Sequence, residues 1–341
     1  MIAPDYTKAF REANYHQINQ YVRFLLEKAG RERTIPGRLE ELPALREALC
    51  REIGYPPYFR ETRQAPFPET LLAEEDGLQF YRLIIPVAEG LDCYGILIKP
   101  QGTGPHPLCI LLHGAVGCPE MITGLHMTAN YYDAGKVLAK EGWMVYAPLT
   151  MFRPILDGDA SIIPQDARLR ANLQLQAADT TLIALEMLKI CKATDVLLQR
   201  PDVIPGRAGI AGLSFGGFYT LLCAATDQRF DPIYSSCFFA DQLPVFRMRE
   251  DLSLSEFVWR GSGKIGCREL ALLCCPRRLI LEAGVGDALF PIDNVRKETA
   301  WVRQAYETLG HGDSFRFVEH SGQHEFGLNE ALQWFRWKED P

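Results

Sequence analysis

RAGIAGLSFGGFYTLLCAATDQRF, residues 207–230, changes its periodicity in the middle. Ala208 to Leu213 is a run of small and apolar residues after Pro205-Gly206, the pattern of a short buried strand. From Phe215 onward the apolar residues Tyr219, Leu221, Leu222 and Ala225 follow helical spacing. Ser214 stands at the change, inside Gly212-Leu213-Ser214-Phe215-Gly216. A G-x-S-x-G stretch between strand and helix makes a sharp turn that pushes a serine hydroxyl out at the end of a sheet. Side chains at 212 or 216 would collide with neighbouring backbone in so tight a turn, which glycine avoids. The competing reading is that Ser214 merely packs at a glycine-rich turn.

The texture around this stretch alternates strand and helix. LCILLHG (108–114), WMVYAPL (143–149), IYSSCFFA (233–240), RRLILEAG (277–284) and SFRFVEH (314–320) read as strands. Helical patterns lie between them at 133–141, 171–198 and 294–309, with a last one over 325–338. Such alternation implies parallel strands with right-handed crossovers and helices on both faces, a doubly wound α/β sheet. Ahead of it, LQFYRLIIPV and LDCYGILIKP form an antiparallel pair joined through Ala88-Glu89-Gly90. The domain division expected is a helical N-terminal extension over 1–70 and an α/β domain over 71–341. Within the latter, 242–276 mixes FRMREDLSLSEF with RGSGKIGCREL and reads as a small helical, cap-like insertion with its charges toward water.

In sheets of this kind, ligand sites form beyond the carboxyl ends of the strands. Four strand ends carry chemistry. LLHGAVG (111–117) offers backbone N–H groups suited to a developing oxyanion, with Ala115 and Phe215 as the two donors. His113 in that loop reads as a residue that shapes the turn. The elbow supplies Ser214, the loop GVGDALFP supplies Asp287, and SGQHEF supplies His324. A serine hydroxyl is a weak nucleophile, so an imidazole must take its proton and a carboxylate must hold that imidazole's tautomer. His320 and His311 are rivals for the base and Asp241 for the acid, while Asp293 and Asp313 read as a helix start and a turn residue.

Composition bounds the partners. The 36 basic and 43 acidic residues give a formal charge of −7, and no block of five Lys/Arg occurs, which disfavours nucleic acid. The N-terminal stretch interleaves charged and polar residues where a signal peptide would be continuously apolar, and no run approaches the roughly 18 apolar residues of a membrane span. A cytoplasmic protein, not a membrane one and free to form a homo-oligomer, is the expectation. The ten cysteines include no C-x-x-C pair and lie mostly in apolar segments, so they read as core thiols rather than metal ligands. No cofactor or metal is expected. Cys118 follows the oxyanion loop, and Arg153 lies in a long segment after WMVYAPL; the sequence assigns neither a role.

With these residues placed, the chain resembles the α/β-hydrolase superfamily, and within it the acetyl xylan esterase-like and dienelactone hydrolase-like branch. The resemblance runs over residues 78–338 through GPHPLCILLHG, GLSFGG, GVGDALFP and GQHEF. It implies a Ser214, Asp287, His324 triad and an oxyanion hole from the Ala115 and Phe215 N–H groups; the identity of the substrate is not carried over with it, and a small carboxylic ester is the expectation from the triad chemistry. Short acyl groups are expected, because no long apolar amphipathic segment of the kind an interfacial lipase exposes is read in the chain. The segment TMFRPILDGDASIIPQDARLRANL departs from the compact loop of many relatives. A peptidase or amidase of the same fold, or a non-catalytic relative, are the alternatives.

Overall fold

The computed structural model describes residues 8–33, 36–61, 67–115, 117–126, 129–150, 167–241 and 259–337. Its strands are β1 (Glu69–Glu75), β2 (Leu78–Ala88), β3 (Leu91–Lys99), β4 (His106–Leu112), β5 (Met144–Pro148), β6 (Val203–Leu213), β7 (Phe230–Ser236), β8 (Leu279–Gly284) and β9 (Phe315–His320). They form one nine-stranded sheet in the order β1-β2-β3-β5-β4-β6-β7-β8-β9. Pairing is antiparallel from β1 to β5 and parallel from β5 through β9. The antiparallel part is therefore larger than the pair read from the sequence. β1 escaped because its residues are exposed on both faces and so show no alternation.

The order reverses at β4, which has β5 on one side and β6 on the other. Successive connections leave toward opposite faces there, and the strand ends part into a crevice. One face of the sheet carries α2 (Leu42–Ile53), α6 (Leu182–Leu197), α7 (Phe215–Thr226), α8 (Cys267–Cys274) and α9 (Ile292–Thr308), which share one apolar core. The other face carries α3 (Pro119–Thr123), α4 (Ala134–Lys140) and α10 (Asn329–Trp334) around Trp143 and Phe335. The central strands are apolar toward both cores, as fully covered parallel strands must be.

The helix expected over 171–198 is two helices, α5 (Ala167–Gln176) and α6. The break has a tertiary cause. Thr180 and Thr181 donate their hydroxyls to the carbonyls of Gly54 and Ile53, each at 2.8 Å, and Thr181 also accepts from Ala184 N–H as the N-cap of α6. The last helix is shorter than the expected 325–338 and begins only at Asn329, because Leu328 has φ 59°, a left-handed value through which a right-handed helix cannot run.

The cap-like insertion over 242–276 needs correction where the structure describes it. Residues 242–258 lie outside the described residues. The rest contains α8, a buried crossover helix between β7 and β8. Arg260 and Lys264 do face water, with side chains 78% and 53% exposed, but the charges on the helix do not: Arg268 forms a two-pronged pair with Glu298, which is itself buried, and Glu269 accepts from Gly266 N–H at 2.7 Å. The N-terminal extension contains α1 (Lys8–Arg31), which has no buried residue and exposes Phe10, Tyr15, Tyr21, Phe24 and Leu25 among its charged and polar residues. Among the described residues no helix is long and apolar enough to cross a membrane.

Two arginines close the far end of α7. Arg277 donates to the carbonyls of Ala224, Asp227, Phe230 and Leu273 at 2.6–3.1 Å. Arg46 donates to those of Ala225 and Leu273. The last carbonyls of α7 and α8 lack intrahelical donors, and a cation there also opposes the negative helix end. Arg277→Met should therefore lower stability in urea unfolding by about 2–3 kcal/mol. A loss below about 0.5 kcal/mol would mean that water serves these carbonyls equally well.

Candidate active site

Ser214 adopts φ 59° and ψ −117° between β6 and α7, a backbone region that non-glycine residues avoid. The turn is held from two sides. Ser214 N–H donates to Ser236 O on β7 at 2.8 Å, and Phe218 N–H donates to Ser214 O at 3.0 Å. The flanking glycines are required by contact: a Cβ on Gly216 would lie 2.0 Å from Leu112 O, and one on Gly212 would lie 2.4 Å from the Gly216 backbone. The N-terminus of α7 is thereby pressed onto the end of β4.

The loop after β4 meets this turn. A Cβ on Gly114 would come 3.4 Å from Ser214 Cβ. Gly117 N–H donates to Gly114 O, and Gly114 N–H donates to the Tyr131 hydroxyl at 2.9 Å. Among the described residues these bonds take up the N–H groups of Gly114 and Gly117 and not that of Ala115. His113 is fully buried. Thr150 N–H donates to its Nε2 at 3.3 Å, which makes Nε2 the bare nitrogen, so Nδ1–H donates to Gly114 O at 2.9 Å. Burial lowers its pKa to about 4, and the nearby Lys189 and Arg168 cations push the same way against the Gly114 carbonyl. The residue is a neutral spacer that shapes the loop.

Asp287 and His324 come together at the ends of β8 and β9. His324 Nδ1 lies 2.8 Å from Asp287 Oδ2. The other carboxylate oxygen accepts the N–H groups of Leu289 and Phe290 at 2.8 and 3.2 Å, so the carboxylate is fixed in plane and buried. Their two loops are laced by backbone: Val285 N–H donates to His320 O and Gly286 N–H to Gly322 O. Phe290 stacks on the imidazole with ring centroids 5.9 Å apart. With Nδ1–H given to the carboxylate, the remaining nitrogen, Nε2, is an acceptor.

The rivals fall elsewhere. Asp241 exchanges backbone hydrogen bonds with the Asn294 side chain, both at 3.0 Å. His320 accepts Gly322 N–H through Nδ1, and the backbone N–H of His311 serves Tyr306 O. Asp293 is exposed in the first turn of α9 beside Arg296, and Asp313 lies in a single 3₁₀ turn. Cys118 occupies the N-cap position of α3, where burial raises its thiol to about 11. Arg153 lies outside the described residues. A cleft of about 360 Å³, lined by Glu61, Lys192 and Arg229 among others, opens at the opposite end of the strands, away from Ser214.

Sequence reasoning missed three neighbours. Cys237 follows β7 at φ 50°, and its thiol, the Asp287 carboxylate and the His324 imidazole have ligating atoms within 4.8 Å of one another. Its thiol donates to Glu325 O at 3.3 Å, and burial with the Asp287 charge raises it to about 12. Asn130 donates its side-chain amide to His324 O at 2.9 Å. Glu282, buried under the base loop, accepts from Tyr234, Ser236 and Gly327 N–H at 2.7–2.8 Å. None carries a motif; each is defined by contacts across the fold.

Comparison with solved structures bears on the fold. A protein from Bacteroides fragilis NCTC 9343, assigned as an acetyl xylan esterase, superposes with a TM-score of 0.63 at 13% identity, covering 82% of this chain and 74% of that one. The fold is that of the α/β-hydrolases. Acetyl xylan esterase 1 from Thermoanaerobacterium sp. JW/SL YS485 aligns over 90% of this chain and 96% of its own with a TM-score of 0.54 and 19% identity. By sequence, YtaP of Bacillus subtilis (strain 168), described as a hydrolase, is 27% identical over 134 residues. That match spans 39% of this chain and 45% of YtaP, less than half of either. No family model matches the chain.

The His113 contacts make a pH prediction. Its folded pKa, about 4, lies below the ordinary 6.5, so its contribution to stability is complete above pH 6.5 and is lost as pH falls toward 4. His113→Gln should be less stable than the parent at pH 7, and the gap should narrow by up to about 3 kcal/mol between pH 6.5 and 4. Parallel pH curves in chemical denaturation would show that His113 is not held neutral.

Proposed function

We propose that the chain is a serine hydrolase of carboxylic esters, with Ser214 as nucleophile, His324 as general base and Asp287 as the carboxylate that orients it. The observation that carries this is the 2.8 Å bond between Asp287 and His324 Nδ1, at the end of the sheet where Ser214 sits on its strained turn. The esterase names of the solved neighbours support it as an analogy of fold.

In this reading Nε2 of His324 takes the hydroxyl proton as Ser214 Oγ attacks the ester carbonyl carbon. The oxygen that gains charge is met by the N–H groups of Ala115 and Phe215, the latter at the positive end of α7. The imidazolium, stabilised by Asp287, returns the proton to the departing alcohol, leaving an acyl group on Ser214. Water, deprotonated by the same nitrogen, then attacks the acyl carbonyl. Collapse of the second tetrahedral intermediate frees the acid and restores the hydroxyl.

Short acyl groups, acetyl first, are part of the proposal. The exposed rings of α1 are interleaved with charged residues, so the sequence argument is joined by a structural one. That second argument is a run of buried rings behind the proposed site. Phe215 contacts Phe218, Phe218 contacts Phe238, Phe238 contacts Phe290, and Phe290 stacks on His324, with centroids 5.1–5.9 Å apart. Rings packed at that spacing leave no room for a long chain on that side, and opening one would strain the core. We also assign the protein to the cytoplasm: its ten cysteines are free thiols, and oxidising compartments tend to pair them.

Ser214→Ala should abolish p-nitrophenyl acetate turnover except for about 10³-fold over water, and should not be labelled by a fluorophosphonate that modifies the parent. Asp287→Asn should lower turnover on the order of 10⁴-fold. Turnover by Ser214→Ala within tenfold of the parent would overturn the nucleophile. Across p-nitrophenyl esters from acetate to palmitate, kcat/KM should be highest at the short end. A maximum at eight carbons or more would overturn the acyl-length reading alone.

A further inference from the structure

We propose that Asn130 and Tyr131 form a strut that sets the His324 loop against the oxyanion loop, and that Asn130 is a positioning residue for the imidazole. This rests on the hydrolase reading above. The two residues belong to a single 3₁₀ turn, Ala129–Tyr131, between α3 and α4. They reach two loops that no sheet bond joins directly, since β4 and β9 stand at separate places in the sheet.

The arm toward the oxyanion loop is Tyr131. Its ring is buried, and its hydroxyl accepts Gly114 N–H at 2.9 Å. A Cβ on Gly117 would lie 2.0 Å from that hydroxyl, so the loop closes around it. The arm toward the base is Asn130. Its amide donates to the carbonyl of His324 itself at 2.9 Å, and its own carbonyl accepts Phe326 N–H at 3.1 Å. His324 is thus held from both sides of its Cα, by Asn130 at its carbonyl and by Asp287 at its ring. A peptide plane that turns would swing the ring, and with it Nε2, relative to Ser214.

The chain takes an unusual path to manage this. Ala129, Tyr132 and Asp133 all have positive φ, 41°, 47° and 54°. These bends let consecutive side chains serve loops on either side. Tyr132 adds an outer contact, its hydroxyl donating to Glu325 at 2.6 Å in an exposed setting where water competes.

A shift of about 1 Å in a catalytic group can cost about a hundredfold in rate. Asn130→Ala should accordingly lower kcat for p-nitrophenyl acetate about 10- to 100-fold with KM within about twofold. Asn130→Asp keeps the shape but not the donor, and should lose as much as Asn130→Ala. Tyr131→Phe removes the acceptor of Gly114 N–H and should lower kcat similarly. Because the two arms act as one unit, the double variant Asn130→Ala/Tyr131→Phe should be no worse than the weaker single. Losses that multiply would overturn the strut, and full activity in Asn130→Asp would reduce Asn130 to a packing residue.

A second readout does not depend on hydrolysis. The His324 Nδ1 proton, bonded to Asp287, should give a far-downfield NMR resonance in the parent and in Ser214→Ala. In Asn130→Ala it should shift or broaden while the melting temperature stays within a few degrees. An unchanged resonance overturns the positioning role even if Ser214 proves not to be the nucleophile. Full turnover in Ser214→Ala with a shifted resonance overturns the proposed function and leaves the strut standing.

Discussion

The molecule turns on one close approach, that of Gly216 to the end of β4. A Cβ there would lie 2.0 Å from the Leu112 carbonyl oxygen, closer than any packed pair tolerates. Because the contact is backbone on backbone, it fixes where the N-terminus of α7 sits, and therefore where Ser214 and the Phe215 N–H sit beside the 113–117 loop. The opposite end of the helix is equally constrained, since Arg277 and Arg46 take its last carbonyls. A helix pinned at both ends and buried along its length can sustain the unfavourable backbone angles of Ser214, which a mobile segment would relax.

The loop that carries His324 is different in kind. Its sequence, SGQHEFG, is what a flexible loop looks like, yet the structure fastens it along its length. Gly322 O accepts from Gly286 N–H, Asn130 holds the His324 carbonyl, and Gly327 N–H reaches the buried Glu282 carboxylate. Each such bond is worth about 1 kcal/mol net, so no one of them alone would order the loop. Stiffness here is a property of the surroundings and not of the loop.

That difference decides what could be read from sequence. The sheet and the elbow are written locally: apolar strands of fixed length, glycines at 212 and 216, and polar residues just past strand ends. The break between α5 and α6 is not, because it is set by Thr180 and Thr181 bonding to Gly54 and Ile53, more than a hundred residues earlier. The same holds for α8, whose charges look solvent-directed until Glu298 and Gly266 N–H are found facing them. Asn130 was invisible for a further reason. Its partner is a backbone carbonyl, which leaves no trace in residue type.

Cys237 bears on why an imidazole–carboxylate pair should serve a serine at all. A thiol is the better nucleophile once ionised, and this one lies beside both Asp287 and His324. Ionising it would put a second negative charge next to the Asp287 carboxylate in a buried setting, and both effects raise its pKa, to about 12. The protonated thiol instead donates to the carbonyl of Glu325, one residue beyond the histidine. Burial thus converts the more reactive group into a fastener for the base loop. The hydroxyl of Ser214, a residue only partly buried at the turn, is the group left for the proposed imidazole to activate, since a serine needs the base only at the moment of attack.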